Sequence, residues 1–115
     1  MKRFVIELGM GVDLHGGDVT KATKKAMKDA ISHSCLCGLV ETVQPKKVEV
    51  RAEIACPYPE RLDLEALKDV LPIGELVIES VKEGGMQTQG LHVDELGAGD
   101  QIVVSLVSLT VCVAL

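Results

Sequence analysis

Near the N-terminus, Gly9-Met10-Gly11-Val12-Asp13-Leu14-His15-Gly16-Gly17 forms the densest polar motif of the chain. In an extended segment Asp13 and His15 are two apart and project to the same side. A carboxylate and an imidazole converging in this way can ligate a divalent ion, or act as a base and the group that orients it. Gly9, Gly11, Gly16 and Gly17 would let backbone N–H groups face a ligand, and the start of the helix that follows favours an anion. A purely structural reading stands beside this one: Asp13 would hydrogen-bond the loop amides and His15 would sit on the surface. The motif lacks the Lys-Ser/Thr of a phosphate loop, and Asp13 and His15 would crowd the turn of a dinucleotide fingerprint.

The remaining polar residues are more scattered. Asp29 and His33, four apart at the edge of an apolar helix face, read as a structural pair. His33 would join Asp13 and His15 as a catalytic or metal-binding residue if the helix end folded back beside the loop. His92 falls in a solvated loop with Asp94 and Glu95. Glu60 and Arg61 follow two prolines and could border a pocket, but a capping or surface role is the favoured reading, and the same holds for Glu83 before Gly84-Gly85. Tyr58 offers an interfacial anchor. Cys35-x-Cys37 has neither the spacing nor the second cysteine pair of a zinc knuckle. The four cysteines are expected to be free thiols and small buried hydrophobes.

These residues need elements to position them. Residues 3–8 predict a strand that ends at Gly9, before the glycine loop. Asp18 or Thr20 would cap a helix running from about Val19 to Cys35, with Gly38 as the stop. Val19, Ala22, Ala26 and Ala30 form its dry face; Lys21, Lys24, Lys25 and Lys28 form its wet one. Lys47–Cys56 alternates as a half-buried strand. Cys56-Pro57-Tyr58-Pro59 predicts an extended loop, because each proline restricts the residue before it. A second helix over 63–71, a strand over 76–81, a loop or irregular hairpin to about Asp100 and a last strand over 102–115 complete the chain. That gives one α+β domain over 1–115, a two-layer β-α-β-α-β-β sandwich with helices on one sheet face.

The last strand is apolar on both alternating faces, yet fourteen residues fall short of the ~20 of a membrane helix. Two helices cannot easily cover both faces of the sheet, so the expectation is a homo-oligomer that packs sheet against sheet. A trimer or a multiple of one is favoured, with a dimer as the other arrangement. The aromatic content points the same way, since Phe4 and Tyr58 stand alone without any Trp. A net charge of −5 argues against nucleic acid and anionic membranes as partners. Glu7 interrupts any signal-like apolar run, so a cytoplasmic protein is expected.

The pattern Gly9-x-Gly11-x-Asp13-x-His15-Gly16 resembles the signature of a family of short uncharacterised bacterial proteins. The likeness extends to the Asp-Ala-Ile-Ser-His-Ser run at 29–34 and to Pro57-Tyr58-Pro59-Glu60. That family implies no activity. The same stretch is similar to one in 2-C-methyl-D-erythritol 2,4-cyclodiphosphate synthase, a homotrimer. That likeness implies that Asp13 and His15 bind a divalent metal at a subunit boundary. The synthase has a second histidine ligand without counterpart here; Lys47 lies near its place. The order of elements also resembles the fold of bacterial chorismate mutase and small trimeric deaminase-like proteins, again with interfacial pockets. Two functions follow as expectations. One is a small metabolic enzyme acting on a polar or anionic small molecule at a subunit interface through Asp13 and His15. The other is a non-catalytic oligomer binding a metal or a small ligand.

Overall fold

The first strand does not stop where the glycines begin. In the computed structural model, which describes residues 1–96 and 99–115, β1 is Lys2–Asp13 and carries Gly9 and Gly11 within it. The expected loop therefore shrinks to the residues between Asp13 and α1, Val19–Ile31. Packing explains the difference. A Cβ on Gly9 would lie 2.1 Å from the carbonyl oxygen of Ala26, and one on Gly11 would lie 2.0 Å from that of Ala22. Both glycines face the helix, and the absent side chains let α1 lie directly on the strand. The helix meets them with Ala22, Ala26 and Ala30, all fully buried.

Asp18 caps α1, accepting the Lys21 N–H at 3.0 Å. The helix ends at Ile31, a turn earlier than expected, because Ser32 closes it: its N–H reaches the carbonyls of Lys28 and Asp29, and its hydroxyl that of Asp29. Gly38 instead precedes a short π-helical turn, Leu39–Val43. The expected second helix over 63–71 does not form. Its residues make a single 3-10 turn at Glu65–Leu67, enough to bury Leu67 completely, and a second 3-10 turn at Pro59–Arg61 precedes the segment. Tertiary burial of one leucine is achieved by a single turn, and Pro72 leaves little room for more.

The strands β2 (Lys47–Cys56), β3 (Glu75–Glu83), β4 (Met86–Gln89) and β5 (Gln101–Ala114) complete a mixed sheet in the order β1-β5-β2-β3. β5 is central, antiparallel to both β1 and β2, while β2 and β3 run parallel. The segment expected to be a loop or irregular hairpin supplies β4. β2 pairs with β5 as far as Ala55↔Leu106, and β4 takes over from Met86↔Val104 to Gln89↔Gln101. Gly85, at φ 69°, makes the crossing: a Cβ there would meet the Val104 carbonyl oxygen at 2.0 Å.

Two layers result, one helix and one sheet. Val50, Ala52, Ile54 and Cys56 of β2 and Val107, Leu109, Val111 and Val113 of β5 face the helix with Met27 in a shared core. Between helix and sheet Thr23 donates to the Ser105 hydroxyl at 2.9 Å, so these two buried hydroxyls satisfy each other. The opposite sheet face has no helix over it, and Ile6, Leu8, Met10 and Leu106 stand exposed there. Among the described residues no helix is long and apolar enough to cross a membrane.

Candidate functional site

β1 and β2 run in the same direction, so their C-terminal ends reach the same end of the sheet, where β5 begins and α1 starts. Asp13, the last residue of β1, is 6% exposed, and its Oδ2 accepts the Asp18 N–H at 2.8 Å. One carboxylate oxygen is therefore spent on closing the turn into α1. Gly16 (φ 104°) and Gly17 (φ 63°) shape that turn in the left-handed region, where other residues would be strained. His15 between them and the strand is partly exposed, but its Nδ1 is buried and has no hydrogen-bond partner. An orphaned ring nitrogen of this kind calls for a compensating group.

Asp13 pairs with Val103 in the sheet register, and the same register extended two residues sets His15 level with Gln101. Gln101 also bounds the loop from below, since a Cβ on Gly17 would lie 2.7 Å from its Oε1. Its Nε2 donates to the Tyr58 hydroxyl at 3.1 Å. Tyr58 is not extended, as its neighbouring prolines suggest, but left-handed at φ 51° and ψ 59°. A non-glycine residue in that region costs roughly 1–3 kcal/mol and has to be held there. The ring packs beside Val19, Ala22 and Val103, Gln101 holds the hydroxyl, and the Arg61 guanidinium lies 4.0 Å over the ring centroid. One end of the sheet thus gathers a carboxylate, an imidazole, a phenol, an amide and a guanidinium around the start of a helix.

Other expected site residues lie elsewhere. Gly9 and Gly11 are covered by α1 and present no backbone to a ligand. His33 sits past the far end of α1, ~20 Å along thirteen helical residues from the loop, so the helix does not fold back. It pairs with Asp29 as expected, Nε2 to Oδ1 at 3.2 Å, while the other Asp29 oxygen accepts the Met10 N–H at 2.9 Å. His92 is tied to Asp94 and to the Gly99 backbone within its own loop. All four cysteines are free. Cys35 and Cys37, expected to be buried, are exposed after α1, whereas Cys56 and Cys112 are in the core. Burial pushes the Cys56 thiol up, opposed by its contact with the Thr23 hydroxyl.

Among the described residues no three His, Cys, Asp or Glu side chains gather to hold an ion. Asp13 and His15 could supply two ligands, one of them already sharing its carboxylate with Asp18. A divalent ion held there would need a third donor from another subunit or from the substrate.

Tyr58, Arg61 and Gln101 gained weight only from the fold. Gln101 gave no signal in the sequence, and Tyr58 between two prolines gave a misleading one.

Fold and site together define a small α+β protein, one helix on a mixed sheet, with a polar cluster where the parallel strands β1 and β2 end. The chain belongs to the Lin0512 family of conserved hypothetical proteins, whose model matches residues 3–111. It is similar to an FtsZ-like protein of unknown function from Nostoc punctiforme, known from its crystal structure. The two share 35% identity with a TM-score of 0.86, over 99% of this chain and 97% of that one. Comparison with curated proteins finds no match.

Proposed function

We propose that the chain is a homo-oligomeric small-molecule protein whose working site is the end of β1 at the start of α1. Its ligand is a small polar or anionic molecule, and in the enzymatic form of this reading His15 moves a proton. The observation that carries it is the buried, unpartnered Nδ1 of His15, set in a loop that ends on a helix N-terminus. Arg61 and the helix start supply positive potential for an anion. Tyr58, held in a costly backbone conformation beside them, supports a site whose geometry is maintained for a purpose other than folding.

Asp13 acts here as the residue that positions the loop, since its carboxylate already closes the turn. That arrangement equally suits a binding protein without turnover, and it leaves room for a metal only if another subunit contributes a donor. The exposed sheet face bearing Ile6, Leu8, Met10 and Leu106 supports self-association, with a trimer or a multiple of one preferred.

The test is a thermal-shift screen of small phosphate esters and di- and tricarboxylates, with and without chelator. The panel is applied to the wild type and to His15→Ala and Arg61→Ala. At least one anion should stabilise the wild type and lose its effect in both variants, and hits are then assayed for turnover. A wild type that responds to no anion, or variants that respond as it does, would end this assignment. Loss of a hit on chelation would move the reading to a shared metal site.

A further inference from the structure

A second feature lies at the opposite end of α1. Along β1, Gly11 and Gly9 are covered by the helix, but Glu7 lies beyond its last turn on the same sheet face. The segment after Ile31 wraps around it instead. This leaves a cleft of about 320 Å³ walled by Val50 and Val111 of the sheet, Ile31 and Leu36 after the helix, and Leu71 and Ile73 before β3. The walls are almost wholly apolar. Glu7 lines the cleft and is 6% exposed. Its Oε2 accepts the Ser34 hydroxyl at 2.7 Å, and among the described residues no Lys, Arg or His reaches it.

Burying an acidic side chain without a cation is costly, and one neutral hydroxyl compensates it only in part. A carboxylate only accepts hydrogen bonds, and Ser34 occupies just one of its oxygens. The cleft volume falls at the low end of those that hold small ligands, and an apolar wall with one placed polar group is their usual make-up. A ligand that completes this site brings a cationic donor to Glu7 and an apolar body to the walls. An anion or a neutral hydrocarbon leaves the carboxylate as it was or makes it worse.

We infer that this cleft binds a small cationic amphiphile, a primary ammonium on an aliphatic or aryl body, with Glu7 as its counter-ion and Ser34 holding the carboxylate in place. The inference does not depend on the His15 site, which lies at the other end of the helix. Cys35 and Cys37 line the cleft and are exposed, so they report occupancy, while buried Cys56 and Cys112 serve as internal controls.

Hexylammonium, hexanol and hexanoate serve as probes, with calorimetry for affinity and the rate of iodoacetamide alkylation for occupancy. Hexylammonium should bind at least ~10-fold more tightly than hexanol, the worth of one charge-assisted hydrogen bond, and should slow alkylation of Cys35 and Cys37. Glu7→Gln should remove the preference. Should that variant fail to fold, the preference for hexylammonium over hexanol still tests the counter-ion, and Val40→Trp tests the placement of the probe, because Val40 is 74% exposed on the cleft lining and a large ring there obstructs it. Val40→Trp should abolish binding. Equal affinity for the three probes, preference for hexanoate, or hexylammonium binding unchanged in either variant would overturn the inference.

Discussion

Glycine in the Gly9–Gly17 stretch does two different jobs, and only one concerns the loop. At Gly16 and Gly17 the backbone is left-handed, and the residue is needed for its conformation. At Gly9 and Gly11 it is needed for its missing side chain, because backbone atoms of α1 occupy the space within 2.1 Å and 2.0 Å of where a Cβ would stand. Those atoms belong to a helix and cannot rotate away. Gly9→Ala and Gly11→Ala should therefore each lose about 3 kcal/mol, the upper part of the range for overpacking, as read from urea unfolding. A loss below about 0.5 kcal/mol would mean that helix and strand are not held at the distance described. At Asp13 the same scale shows a carboxylate directed inward to a turn, which neither residue type nor spacing reveals.

Between strand and helix the joints are made by aspartates. Asp13 accepts from Asp18, Asp18 caps α1 through Lys21, and Asp29 reaches the Met10 N–H on the outer edge of β1. β1 is an edge strand, so the Asp29 contact also covers a backbone donor that would otherwise be open to another chain. Asp18→Ala should destabilise the fold by about 1 kcal/mol, the usual worth of a helix N-cap. Asp18→Ser should recover most of that loss in the same unfolding experiment, because a hydroxyl can accept the Lys21 N–H. No recovery would mean that Asp18 acts through its charge or through Asp13 rather than as a cap.

For the whole molecule the governing fact is one layer of helix over one face of a five-stranded sheet. Leu8, 67% exposed, lies midway along the edge strand β1 on the uncovered side, with Ile6, Met10 and Leu106. Arg51, bonded to Glu49 and drawn to Glu79, marks the polar part of that face. Covering these side chains with a second copy would stabilise an oligomer by about 1.5–3 kcal/mol for each large side chain fully buried. Sedimentation should show a homo-oligomer for the wild type, and Leu8→Glu should shift it toward monomer while the circular dichroism spectrum stays the same. A wild type that remains monomeric at tens of micromolar would show that the face is left to solvent or to another partner.

Periodicity alone was enough for the strongly patterned elements. The alternation of Lys47–Cys56 marked β2 to the residue, and the alanine and lysine faces of α1 were legible, as was the Asp29–His33 pair. These patterns are local, because a side chain's burial follows from its turn or pleat. Where distant contacts decide, the sequence fell short. Gly9 and Gly11 are strand residues because a helix packs on them, and within 63–71 a 3-10 turn suffices to bury Leu67. Tyr58 is left-handed because Gln101 and Arg61 hold it, against the preference imposed by Pro59. The cluster of His15, Tyr58, Arg61 and Gln101, and the apolar cleft around Glu7, join residues separated by up to about a hundred positions. No local pattern encodes such meetings; the pairing of β5 with β1 and β2 brings them about.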